Sequence, residues 1–221
     1  MKLRIASLTM LFFVLAAPAG AQVLYDDGPI NGTTDAWTIN FGYVVGDTFT
    51  LSANSTVGGF NFGLWEPPGD MLTSVQWSIT EYYNSGFVYA SGVASGKNLT
   101  DQFISLNQYG YDIDKVTVTG LNVPDLPGGR TYWLNLQNAS VPSGDPVYWD
   151  ENDGVGCTGD DGHGGGCPSE ASNGAVGSIG AESFDINGTG GEGSTPEPSS
   201  FILLGSGVLV LGGVLRRKLL V

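Results

Sequence analysis

From residue 23 to residue 148, apolar and polar side chains alternate in short runs. Trp37-Thr38-Ile39-Asn40-Phe41, Thr48-Phe49-Thr50-Leu51, Val75-Gln76-Trp77-Ser78-Ile79-Thr80, Lys115-Val116-Thr117-Val118-Thr119 and Tyr132-Trp133-Leu134-Asn135-Leu136-Gln137 all repeat every second residue and are rich in β-branched and aromatic residues. A strand with one buried face has this period, because successive side chains point to opposite faces. Turn signals fall between the runs: Gly46-Asp47, Pro67-Pro68-Gly69-Asp70, Asn84-Ser85-Gly86, Ser95-Gly96-Lys97-Asn98, Pro127-Gly128-Gly129 and Pro142-Ser143-Gly144-Asp145. With a late strand near residues 181–186, roughly eight to ten strands are predicted, and no amphipathic helix competes. The expected fold is all-β, an antiparallel two-sheet sandwich that is jelly-roll-like.

Two apolar segments depart from that alternation, one at each end. Lys2 and Arg4 precede an apolar run over residues 5–17, and Ala19-Gly20-Ala21 follows it. A basic start, a short apolar stretch and small residues at a cleavage position predict a signal peptide over 1–21. At the other end Pro196-Glu197-Pro198 opens a segment that is uncharged over 199–215 and closes on Arg216, Arg217 and Lys218. At about 1.5 Å per residue a helix there reaches about 25 Å, short for a hydrocarbon core of about 30 Å. It is read as one C-terminal transmembrane helix with its cations on the cytoplasmic side. The domain between them, 22–186, faces outward. Residues 151–177 are dense in Gly and acid and read as a long loop, and 187–195 as a flexible linker.

Charge sharpens this picture. Between the two end segments stand 21 acids and only three cations, Lys97, Lys115 and Arg130, for a net charge of −18. Such a surface repels nucleic acid and anionic lipid and attracts cations. Calcium is the natural one, since it takes carboxylate and carbonyl oxygens. Asp150, Asn152 and Asp153, with Asp160 and Asp161, are the candidate calcium ligands; the spacing is not that of an EF-hand, and a solvated acidic loop is the alternative. Cys157 and Cys167, both in an exported segment, predict a disulfide across the Gly-rich loop. Trp65 and Trp149 abut acidic turn segments and are candidate glycan-stacking rings, against the ordinary fate of a sandwich tryptophan, the core. Catalysis finds no footing. His163, the single histidine, sits in the Gly-rich loop, and no acid pair stands out for hydrolysis.

The triplet Pro196-Glu197-Pro198, the apolar segment and the cluster Arg216-Arg217-Lys218 together resemble the PEP-CTERM sorting signal, here 196–221. The resemblance implies recognition by an exosortase, a membrane transpeptidase-like enzyme, after signal peptidase has acted. It further implies at least transient membrane insertion and delivery to the envelope or outer surface of a Gram-negative bacterium that makes exopolysaccharide. Segments such as Asp145-Pro146-Val147-Tyr148-Trp149-Asp150-Glu151-Asn152 are also similar to β-rich ectodomains of that group. The expectation is a non-catalytic surface or extracellular-matrix protein, with exopolysaccharide as a partner. The alternatives are a carbohydrate-binding module using exposed aromatics and, behind it, an extracellular hydrolase.

Overall fold

A computed structural model describes residues 21–152 and 171–190. These residues form thirteen strands and one 3-10 turn, Gly96–Asn98. The strands are β1 Gln22–Asp26, β2 Asp35–Thr38, β3 Val44–Thr50, β4 Ser55–Glu66, β5 Ser74–Tyr82, β6 Ser85–Ser95, β7 Leu99–Leu106, β8 Asp112–Leu126, β9 Thr131–Ser140, β10 Tyr148–Glu151, β11 Ala171–Asn173, β12 Gly177–Ile179 and β13 Phe184–Gly190. All pair antiparallel in two sheets. One sheet runs β12-β11-β3-β9-β5-β6. The other is built on the long β4, which has β8 and then β7 on one side and β13 and β10 on the other, flanked by β1 and β2. The order β2-β10-β4-β8 facing β3-β9-β5-β6 is the interleaving expected of a jelly roll. Among the described residues no helix is long and apolar enough to cross a membrane. The expected signal peptide, C-terminal helix and Cys157–Cys167 disulfide lie outside the described residues.

The alternating positions close the core between the sheets. Val75, Trp77 and Ile79 of β5, Val116 and Val118 of β8, and Tyr132, Leu134 and Leu136 of β9 all join one buried cluster. The first expected strand stops early: β2 ends at Thr38, and Phe41 lies exposed in a turn at φ 53° beside Gly42 at φ 85°. A left-handed backbone pair cannot continue a pleat, so the apparent alternation at Phe41 was accidental. Gly46-Asp47, a turn by composition, lies inside β3. A Cβ on Gly46 would stand 2.6 Å from Asn135 Oδ1, so glycine is there for close approach. The segment 151–177, expected as loop, contributes Glu151 to β10 and residues 171–173 and 177 to the β11–β12 hairpin. Likewise β13 runs four residues into the expected linker, where Gly188 meets Thr56 so closely that no side chain fits.

Candidate metal centre

On the inner face of the sandwich, the row of β4 side chains runs Phe60, Phe62, Leu64 and then Glu66. That of β8 runs Val118, Val116 and then Asp114, with Leu64 opposite Asp114. Both rows are apolar until they end on acids. The edge strand β7 places Asp101 opposite Val116, and so beside the same row. The result is a group of three carboxylates from three adjacent strands, with one oxygen from each within 4.8 Å of the other two. Glu66 is 1% exposed, Asp114 4%, and Asp101 half-buried.

Their electrostatics are unfavourable as they stand. Glu66 Oε2, Asp101 Oδ1 and Asp114 Oδ2 are buried and reached by no N–H or hydroxyl donor, and only a proton held on Glu66 lets it hydrogen-bond Asp101 and Asp114. Burial first, then the charges of Asp101, Asp114 and Asp70, push Glu66 up to about 9. Burial, then Asp101 and Asp112, push Asp114 up to about 7. Asp101 is raised by burial too, although the backbone N–H of Leu72 donates to its Oδ2 at 2.6 Å and pulls the other way. The charges named as acting on Glu66 and Asp114 are all acidic ones of the described residues. A buried anion is stable only when paired, hydrogen-bonded, protonated or bound to a metal. The all-oxygen hard donors and the negative charge fit Ca²⁺, and no soft donor favours zinc or copper. Around the group the turn 67–70 is fastened by further acids: Gly69 N–H donates to Asp112, and Ser143 Oγ–H to Asp70.

The acids singled out from sequence lie elsewhere. Asp150 is fully buried, and its two oxygens take four donors: Gly32 N–H (2.9 Å) and Trp65 Nε1–H (2.5 Å) on Oδ1, Asn31 N–H (2.9 Å) and Ser183 Oγ–H (3.0 Å) on Oδ2. Burial raises its pKa and these donors offset part of the rise. Asp150 is therefore a knot tying the 31–32 loop, β4 and residue 183 to β10, rather than an acid facing solvent. Asn152 is buried as well, donating from Nδ2 to Asp27 O and Pro29 O. Asp153, Asp160 and Asp161 lie outside the described residues. A second acid-rich zone adjoins Asp150. There Glu182 is fully buried, neither of its carboxylate oxygens has a hydrogen-bond partner, and it feels Glu151, Asp47, Asp150 and Asp27. Among the described residues only the Glu66 group brings three acids within metal-sharing distance.

The tryptophan expectation is corrected. Trp65 is 5% exposed, gives its Nε1–H to Asp150 and stacks on Tyr109, with centroids 5.7 Å apart at 23°. Trp149 is fully buried, donates to Ser183 O and meets Phe62 and Phe184 edge-on. Trp149 lies in the core between the sheets, whereas Trp65 points to the opposite face of β4 and is covered there by Tyr109 and Tyr111, so neither ring is open to a sugar. Sequence reasoning passed over Glu66, Asp101 and Asp114. The signal available was an acid at the next inward step of an apolar alternation, Val116 and Val118 back to Asp114.

The comparison with known protein families places a match outside the sandwich. Residues 194–218 match the PEP-CTERM protein-sorting motif.

Proposed function

We propose that this chain, a PEP-CTERM protein by the motif at 194–218, is a non-catalytic envelope or matrix protein whose exported sandwich is locked by calcium and associates with exopolysaccharide. The motif implies handling by an exosortase and delivery to the cell surface. The calcium part rests on one observation, the convergence of the carboxylates of Glu66, Asp101 and Asp114 from three strands at a largely buried point. Outside the cell calcium is abundant, and extracellular modules bind it at about 10⁻⁴–10⁻³ M. A structural role is favoured because the group is tied to the 67–73 segment: the N–H of Leu72, itself buried, donates to Asp101.

A hydrolytic role finds less support. A cleft of about 480 Å³ carries Asp26 and Asp185 on its wall, but Asp26 is exposed and Asp185 half-buried. A general acid needs a desolvated carboxyl facing its partner across such a cleft. The test is fractionation of cells making the full chain or a chain lacking residues 196–221, washed with calcium or with EGTA. The full chain should reach the envelope and shed or unfold more readily under EGTA. Identical fractionation and protease resistance in all four cases would defeat the proposal.

A further inference from the structure

A groove of about 330 Å³ opens at one edge of the sandwich, away from both acid groups, between β6 and the second half of β8. It exists because of how the strands end. Strand β7 pairs with β8 only as far as Val118, where Leu99 stands opposite, so residues from Thr119 onward have no strand on that side among the described residues. Strand β6 is likewise the outer strand of its sheet. Gly120, at φ 73°, bends β8 there, and Asn98 of the 3-10 turn lies against it, 3.2 Å from where a Cβ would be.

The chemistry of the walls is unlike the rest of the surface. Trp77, Tyr89, Asn98, Thr119, Leu121 and Asn122 supply two aromatic rings, two amides and a hydroxyl, and no residue of the lining is an acid, lysine or arginine. On an exported domain with a net charge of −18, a charge-free recess is a marked exception. Gly92 sits opposite Trp77 in the β5–β6 ladder, and a Cβ on it would press on the indole at 3.2–3.3 Å. The missing side chain makes room for the indole, which is 6% exposed and forms part of the groove wall. Tyr89 is half-buried and held upright by edge-on contacts with Phe87 and Tyr132, centroids 4.9 and 5.0 Å away. Thr119 and Asn122 are exposed and Asn98 half-buried, so their polar groups remain reachable.

We infer that this groove binds a neutral glycan chain, with Tyr89 as the stacking ring and Asn98, Thr119 and Asn122 as the hydroxyl-reading groups. Apolar ring faces and polar edges are what a pyranose presents, and a rigid aromatic beside amides recognises both. An open groove rather than a closed cavity suits an internal segment of a polymer. Absence of charge selects against uronate-rich chains, which the surrounding acids would also repel. The inference rests on the proposed exopolysaccharide association and gives it a place.

The test is affinity electrophoresis of the detergent-purified full chain through gels containing galactomannan, hydroxyethylcellulose or alginate, with calcium present. Retardation is expected in at least one neutral gel and not in alginate. Tyr89→Ala and Asn122→Ala should each weaken it about fivefold to tenfold, Asn122→Ala with melting temperature unchanged. Should Tyr89→Ala unfold the sheet edge, Asn122→Ala and Thr119→Ala, both at exposed positions, carry the test alone. Retardation that survives these variants would move the glycan site elsewhere and leave the surface role standing. Retardation in alginate only, or none in any gel, would overturn the assignment, whatever the fractionation of the tail-deleted chain shows.

Discussion

Replacing Glu66 by Gln should make the calcium-free protein more stable and abolish its response to calcium. Glu66 is held protonated up to about 9 in the folded chain, against an ordinary value of 4.5. At neutral pH the unfolded chain ionises this group and the folded chain does not. The gap of about two and a half pH units, at about 1.4 kcal/mol each, costs the folded state about 3 kcal/mol. Gln keeps the volume and has no charge to lose on folding. For a domain of this size, about 3 kcal/mol corresponds to about 6–12 °C in melting temperature. A raised carboxyl favours the fold below its unfolded value and withdraws that support as pH climbs through its folded value. The wild type in EGTA should therefore lose stability as pH rises from about 4 through about 7, for Asp114, to about 9, for Glu66. Calcium reverses the trend, since its ligands must be deprotonated and its affinity grows over the same window. At a hundredfold excess over Kd it adds about 2.7 kcal/mol. Thermal melts from about pH 5 to about pH 10, in EGTA and in calcium, measure all of this. Buried Glu182 and Asp47 are raised as well and slope the same way, so the comparison with Glu66→Gln isolates the site. A Glu66→Gln protein no more stable than wild type in EGTA, yet equally stabilised by calcium, would refute the reasoning.

Other expectations follow from the same contacts. Asp150→Ala strips partners from four donors, three of them buried with it, and should cost at least about 3 kcal/mol by denaturant titration. Trp149→Ala should destabilise by about 3–5 kcal/mol without altering glycan retardation, because its ring is wholly interior. Gly59→Ala places a Cβ 2.3 Å from Val118 O, backbone against backbone, and should lower the melting temperature by more than Gly69→Ala, whose Cβ meets nothing within 4 Å and pays only for its left-handed φ of 84°.

Strand content was legible where the period of two is clean. The runs at 75–80, 115–119 and 132–137 all lie inside observed strands. The spine of one sheet was not: β4 reads Ser-Thr-Val-Gly-Gly-Phe-Asn-Phe-Gly-Leu-Trp-Glu, and three glycines blur its alternation. Those glycines look like breakers until the neighbours are known. Gly59 is pressed by Val118 O, and Gly63 by Ser183 and Asp150. Asp150 was singled out for its company in sequence, Glu151 and Asn152, and the fold buries it beneath the 31–32 loop as a hydrogen-bond hub.

Sequence by itself determined what depends on neighbours along the chain: alternation, turns, the sorting motif at 194–218 and the acid excess of the exported part. The tertiary structure decided what depends on neighbours across strands. Glu66, Asp101 and Asp114 lie on three different strands, and only the β4–β8–β7 register brings them together. Whether an acid is a solvated charge or a buried one seeking a cation is set by what folds over it, and that is a property of packing rather than of spacing.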